Sequence, residues 1–179
     1  MRAFIAFGIP KEVKDYFLQL QKQIDVESAR VVFPSDFHLT LKFLGEIPET
    51  AVGRIKESLS KIKFEKFTAR LNGTGTFPSE QRINVFWVGI GPVDKITAVQ
   101  KAVDSSLKDI FPPDSRFHPH ISIARVKFVK DKNKLKESLK KIKVEPKEFK
   151  IESFKLIKST LTEQGAVYED IAEFKSQSL

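Results

Sequence analysis

Phe37-His38-Leu39-Thr40-Leu41-Lys42-Phe43-Leu44-Gly45 is the stretch on which the fold turns, and it has an echo in Phe117-His118-Pro119-His120-Ile121-Ser122-Ile123-Ala124-Arg125. The chain holds three histidines, and two of them open the same small pattern of histidine, apolar residue and hydroxyl residue. Each pattern lies in an apolar, β-branched run that predicts a strand. Side chains two apart in a strand share a face. His38 and Thr40 therefore project together, as do His120 and Ser122, while Leu39, Leu41, Ile121 and Ile123 turn into a core. Two such pairs set face to face place two imidazoles and two hydroxyls around one small anion. That arrangement suits acid–base chemistry on a phosphate, with Thr40 and Ser122 donating to its non-bridging oxygens.

The two histidines are 82 residues apart, and the same offset maps Phe4 onto Phe86, Pro10 onto Pro92 and Thr40 onto Ser122. Such self-similarity is the signature of a duplicated unit. The approximate repeats are 1–77 and 82–174 within a single bilobal domain, 1–179. Each half reads as strand, helix, motif strand, helix, strand. In the first half, 3–9 is a strand, and a helix opens at Pro10 with Val13, Phe17, Leu20 and Ile24 at helical spacing. Residues 31–33 and 37–44 are strand, a helix follows Pro48 to about Ile62, and 67–71 is strand. The Gly-rich stretch near 72–79 is expected to be a loop between lobes. In the second half, 83–90 is a strand, and Ile96, Val99, Val103, Leu107 and Ile110 mark a helix. Residues 117–129 form a strand, 132–142 a helix and 149–157 a strand, and a last strand covers 167–174. The fold class is α+β: two pseudo-symmetric lobes of antiparallel sheet, helices outside, and a central groove.

At 179 residues with 41% hydrophobic side chains, the chain can bury a sizeable core. No cysteine is present, which removes thiol nucleophiles and thiolate metal sites and fits a reducing compartment. The apolar run 3–9 is too short to cross a membrane and ends at Pro10, so it reads as a first strand, and a cytoplasmic location is expected. The net charge of +8 favours a polyanionic partner. High charge, one methionine and no cysteine fit a thermophilic source. Two histidines on separate strands without clustered carboxylates make a poor metal site, and the Gly73-x-Gly75 pair lacks the tail of a phosphate loop. No metal, no cofactor and no membrane partner are expected, and the chain is expected to be a monomer.

The doubled His-x-hydroxyl pattern resembles the two-histidine phosphoesterase superfamily. Within it, the chain is similar to the RNA 2′,3′-cyclic phosphodiesterases, first described as 2′-5′ RNA ligases. The resemblance covers nearly the whole chain. Met1-Arg2-Ala3-Phe4-Ile5-Ala6 resembles the opening strand of that family, 37–45 and 119–125 its two motifs, and Leu161-Thr162-Glu163-Gln164-Gly165-Ala166-Val167-Tyr168 its C-terminal signature. Ser122 stands where threonine is common; it keeps the donor and loses a methyl. The resemblance implies metal-independent opening of a 2′,3′-cyclic phosphate at an RNA end to a 2′-phosphate, with a weak, reversible 2′-5′ joining activity. It implies RNA ends or nucleotide 2′,3′-cyclic phosphates as partners.

One neutral histidine takes a proton from water and the other, protonated, gives one to the departing ribose O3′. His38 is taken as the acid and His120 as the base, although pseudo-symmetry alone allows the reverse. Lys42 shares the parity of His38 and is expected to face the groove. Arg125 has the opposite parity to His120 and reaches the site only if the strand bulges near Ala124. The resemblance places an arginine here in the phosphate-binding set, and the guanidinium fork suits a phosphate. Two other readings stay open: a nucleotide- or RNA-binding module without catalysis, and a phosphodiesterase acting on a small nucleotide-derived cyclic phosphate. Phe37, Phe77 and Trp87 are aromatic candidates for stacking on a base, with core packing expected for Trp87.

Overall fold

The computed structural model describes residues 1–178. In chain order the elements are β1 (Arg2–Gly8), α1 (Lys11–Gln21), β2 (Ala29–Val32), β3 (His38–Glu46), a 3-10 turn (Glu49–Ala51) and α2 (Val52–Ser60). They continue with β4 (Phe67–Pro78), β5 (Ile83–Gly91), α3 (Val93–Ser106), β6 (His120–Val129), α4 (Lys132–Lys141), β7 (Glu148–Ile151), β8 (Ser153–Thr162) and β9 (Gly165–Lys175). The strands form two antiparallel sheets, ordered β3-β1-β8-β9 and β2-β6-β5-β4-β7. The expected α+β architecture is the one observed.

The helices pack as their apolar spacing dictates. Val13, Phe17 and Leu20 are the buried stripe of α1, and Ile96, Val99 and Val103 that of α3. Asp131 caps α4 by accepting from the Lys134 amide at 3.1 Å, and Lys140 and Lys141 close its last turn, where cations suit the helix dipole. One contiguous core gathers Phe7, Phe17, Phe37, Phe86 and Phe154, all fully buried. Each such ring contributes roughly 1.5–3 kcal/mol by leaving water. The central strand β1 is buried on both faces: Ile5 and Phe7 join this core, while Phe4 and Ala6 pack with Ile157 on the opposite side.

The two halves of the sequence do not build one sheet each. The equivalent pairs β1–β3 and β5–β6 sit at corresponding places in the two sheets, but the next strands are exchanged. β4 from the first half lies beside β5, and β8 from the second half lies beside β1. β2 also crosses, pairing with β6. The exchange makes each sheet a product of both halves.

Three expectations are corrected. The stretch 72–79 is not a loop between lobes; most of it is β4, whose register slips between Leu71 and Thr74 where Gly73 takes φ of 67°. The single strand expected over 149–157 breaks at Glu152, because β7 pairs with β4 in one sheet and β8 with β1 in the other. The second motif strand starts at His120 rather than Phe117.

Both motif strands carry a β-bulge at the same place. Ile5 pairs with Lys42 and Ala6 with Thr40, so Leu41 is the extra residue in β3. Phe86 pairs with Ala124 and Trp87 with Ser122, so Ile123 is the extra residue in β6. A bulge turns the alternation of a strand by one residue. After it, Lys42 and Ala124 point to the core, and Phe43 and Arg125 point out.

Candidate active site

A cleft of about 670 Å³ is lined by residues of both sheets. β3 contributes His38 and Thr40, and β6 contributes His120 and Ser122, so the two matched pairs line one cavity. Arg125 lines it too, brought there by the bulge at Ile123.

Lys42 does not line the cleft, contrary to the parity expectation. The bulge at Leu41 sends its side chain into the core at 2% exposure. There its ammonium meets Asp104 of α3 at 2.5 Å and Asp114 at 3.4 Å, and donates to the Pro112 carbonyl at 2.9 Å. Lys42 thus ties the first motif strand to the loop that leads into the second motif. Its place on the cleft side is taken by Phe43, which is 67% exposed and equivalent to Arg125 under the offset. The pseudo-twofold therefore sets an aromatic ring opposite a guanidinium.

His38 is nearly enclosed by rings. Phe4 and Tyr168 meet it edge-on at 5.5 and 5.0 Å between centroids. Burial lowers its pKa below 6.5, against the pull of Asp36, whose Oδ2 lies 3.7 Å from Nε2. Burial alone would lift the Asp36 carboxyl. The Lys14 ammonium at 2.5 Å and the Phe37 amide at 2.8 Å outweigh that, so Asp36 is held ionised below the usual range.

His120 has a different setting. Its Nδ1 lies 2.7 Å from the His118 carbonyl oxygen. A carbonyl only accepts, so Nδ1 carries the proton, and the neutral ring presents an Nε2 lone pair. Burial again lowers the pKa, helped by the charges of His118 and Arg125 and opposed by the His118 hydrogen bond. Phe77 meets the His120 ring edge-on at 4.8 Å, and Trp87, half-buried rather than fully in the core, lies against Phe77 and His118. Phe37 is a core residue of which part reaches the cleft.

Sequence reasoning missed Arg2, Asp36, Phe43, Lys127 and Tyr168 as cleft residues. The 82-residue offset pairs Phe43 with Arg125 and was the available signal for Phe43. Arg2 and Tyr168 lie within the opening and C-terminal stretches already singled out. Nothing local marks Asp36 or Lys127. Among the described residues, no group of three or more His, Cys, Asp or Glu side chains is placed to hold a metal ion. No helix among them is long and apolar enough to cross a membrane.

Two sheets that each offer a histidine and a hydroxyl to a shared cleft define a phosphoesterase of the two-histidine class. The chain belongs to the LigT like Phosphoesterase family, whose model matches residues 7–87 and 90–168. It is 35% identical to an RNA 2′,3′-cyclic phosphodiesterase of Methanocaldococcus jannaschii, over 97% of this chain and 100% of that protein. It is 33% identical to one of Aquifex aeolicus, over 97% of this chain and 96% of that protein. A solved structure from Thermus thermophilus superposes with a TM-score of 0.77 at 27% identity, covering 98% of this chain and 97% of that one.

Proposed function

We propose that the protein hydrolyses 2′,3′-cyclic phosphates at RNA ends to 2′-phosphates, with His120 as base and His38 as acid. The observation that carries this reading is the meeting of both histidines and both hydroxyls in one cleft, in a chain similar over its length to RNA 2′,3′-cyclic phosphodiesterases. Water attacks phosphorus as the Nε2 lone pair of His120 takes its proton. The bond from phosphorus to O3′ breaks, and O3′ receives a proton from His38, whose imidazolium the Asp36 carboxylate favours. Thr40 and Ser122 donate to the non-bridging oxygens, where charge grows in the transition state. Arg125 adds a fixed cation on the same side. A 5′-hydroxyl in place of water follows the same path and leaves a 2′-5′ linkage, so weak joining is part of the proposal.

The test is incubation with cyclic-phosphate-ended RNA and with 2′,3′-cyclic mononucleotides, with and without EDTA. A 2′-phosphate product from RNA in EDTA is expected. Turnover of neither substrate would leave a binding module, turnover of the mononucleotide alone would leave a small-molecule phosphodiesterase, and loss in EDTA would contradict the two-histidine mechanism.

A further inference from the structure

We propose that the outer face of β2 and β6 is a track for the single-stranded RNA that leads out of the cleft, so that the protein selects a cyclic phosphate on a polynucleotide over one on a mononucleotide. This rests on the proposed function and extends it to the nucleotides upstream of the reacting end.

A second depression of about 430 Å³ is joined to the cleft by Lys127, which lines both. Arg82, Phe128, Lys130 and Lys132 also line it. Phe128 and Lys130 pass on to a third depression, which Arg30 lines. Beyond the cleft, the two depressions form one path of cations around a single aromatic ring, Phe128.

A further bulge explains why these side chains share a face. Arg30 pairs with Phe128 and Val31 with Val126, leaving Lys127 as the extra residue. Lys127 and Phe128 consequently both point outward, and Phe128 is 62% exposed. Among the described residues, the ion pairs involve other cations, and none of Arg30, Arg82, Lys127, Lys130 or Lys132 takes part. Their charge is free for phosphates. Arg30 lies on the edge strand β2, where a cation also guards against pairing with another sheet. That role asks neither for an exposed ring nor for continuity with the cleft. A basic groove with a ring for a base to stack on is the chemistry of single-strand binding. Since a 2′,3′-cyclic phosphate ends a chain at its 3′ side, all remaining nucleotides lie in the 5′ direction, along this one path.

The test uses the Arg30→Gln/Arg82→Gln/Lys130→Gln triple variant and Phe128→Ala, with the Arg82→Gln and Lys130→Gln single variants in reserve. Fluorescence anisotropy measures binding of a labelled single-stranded RNA bearing a 2′-phosphate end. Kinetics compare cyclic-phosphate-ended RNA with 2′,3′-cyclic AMP. We expect the triple variant to bind the RNA at least tenfold more weakly, with a salt slope shallower by about 2, as follows when three phosphates of a single strand are no longer neutralised. Phe128→Ala should weaken binding about fivefold or more. Turnover of 2′,3′-cyclic AMP should be unchanged in all. Unchanged RNA affinity, or a parallel fall on the mononucleotide, would overturn the track. If the unaltered protein turned over neither substrate, the proposed function would fail, while anisotropy would still decide whether the track exists.

Discussion

The side-chain amide of Gln21 donates to the carbonyl oxygen of Ile123 at 3.0 Å, and to that of Pro34 at 2.9 Å. Gln21 ends α1 in the first half of the chain, and Ile123 is the extra residue of the bulge in the second. The other bulge is held in the same crossed manner, through Lys42 just beyond Leu41 and Asp104 of α3. Each half therefore pins the bulge of the other. Gln21→Ala leaves the buried Ile123 carbonyl without this donor, at about 1–3 kcal/mol, and removes a weaker, half-buried bond to Pro34. It should also raise the inhibition constant of phosphate, yet add little in an Arg125→Ala background. Full additivity in that double-mutant cycle would mean that the glutamine acts on stability alone.

His38→Ala and His120→Ala should each cost about 10²–10⁴-fold in kcat/KM, the usual worth of a positioned acid or base. Burial lowers both imidazole pKa values below 6.5. A bell-shaped profile for the free enzyme peaks between its two pKa values, so the kcat/KM maximum should lie on the acid side of pH 6.5. The same depression links folding to pH. The unfolded chain binds protons more readily than the folded one, so stability should fall as pH drops from about 6.5 through the folded values. A maximum well above neutrality, or a melting temperature that rises on mild acidification, would contradict this assignment.

Lys42→Met should act on folding and spare chemistry. Removing one partner of a buried ion pair costs about 3–5 kcal/mol. In a chain of this size that lowers the melting temperature by about 6–20 °C. Because Lys42 lies off the cleft, kcat/KM per folded molecule should remain. A selective loss of activity with unchanged stability would restore it to the phosphate site.

Arg125→Ala should lower kcat/KM about 10–100-fold, the range for a hydrogen bond to a charged group. Arg125→Lys should recover only part of this, because an ammonium cannot offer the guanidinium's paired donors. Complete rescue by lysine would show that charge alone matters there.

Gly75→Ala tests the wall behind His120. A Cβ at Gly75 would overlap the Trp87 ring, which lies against Phe77 and His118. The ring must shift, at a cost of about 1–3 kcal/mol for overpacking. Trp87 is the single tryptophan, so its fluorescence reports the shift directly. We expect altered emission together with reduced kcat/KM, and unaltered emission would show that the strand yields instead of the ring.

The sequence was most legible where a pattern repeats. His38 with Thr40 and His120 with Ser122 follow from the two-residue period of a strand, and the helix stripes of α1 and α3 follow from the 3.6-residue period. Legibility failed where a strand departs from its period. The bulge at Leu41 carries Lys42 into the core and Phe43 into the cleft, and no local residue type announces it. The Gly-rich stretch 72–79 has turn composition, yet pairing with β5 holds most of it as strand. Glu152 looks like any polar strand residue, although the chain changes sheets there.

By itself, the amino-acid order determined that a histidine beside a hydroxyl recurs after 82 residues, that each pair lies on a strand, and that helices cover the apolar faces. These are consequences of short-range periodicity. Tertiary structure alone decided which strands lie together, and so that β4 and β8 change sheets, Arg125 turns into the cleft and Lys42 turns away from it. Backbone pairing and bulge register are settled between segments far apart in sequence, where burial of one face against a distant partner outweighs any local preference.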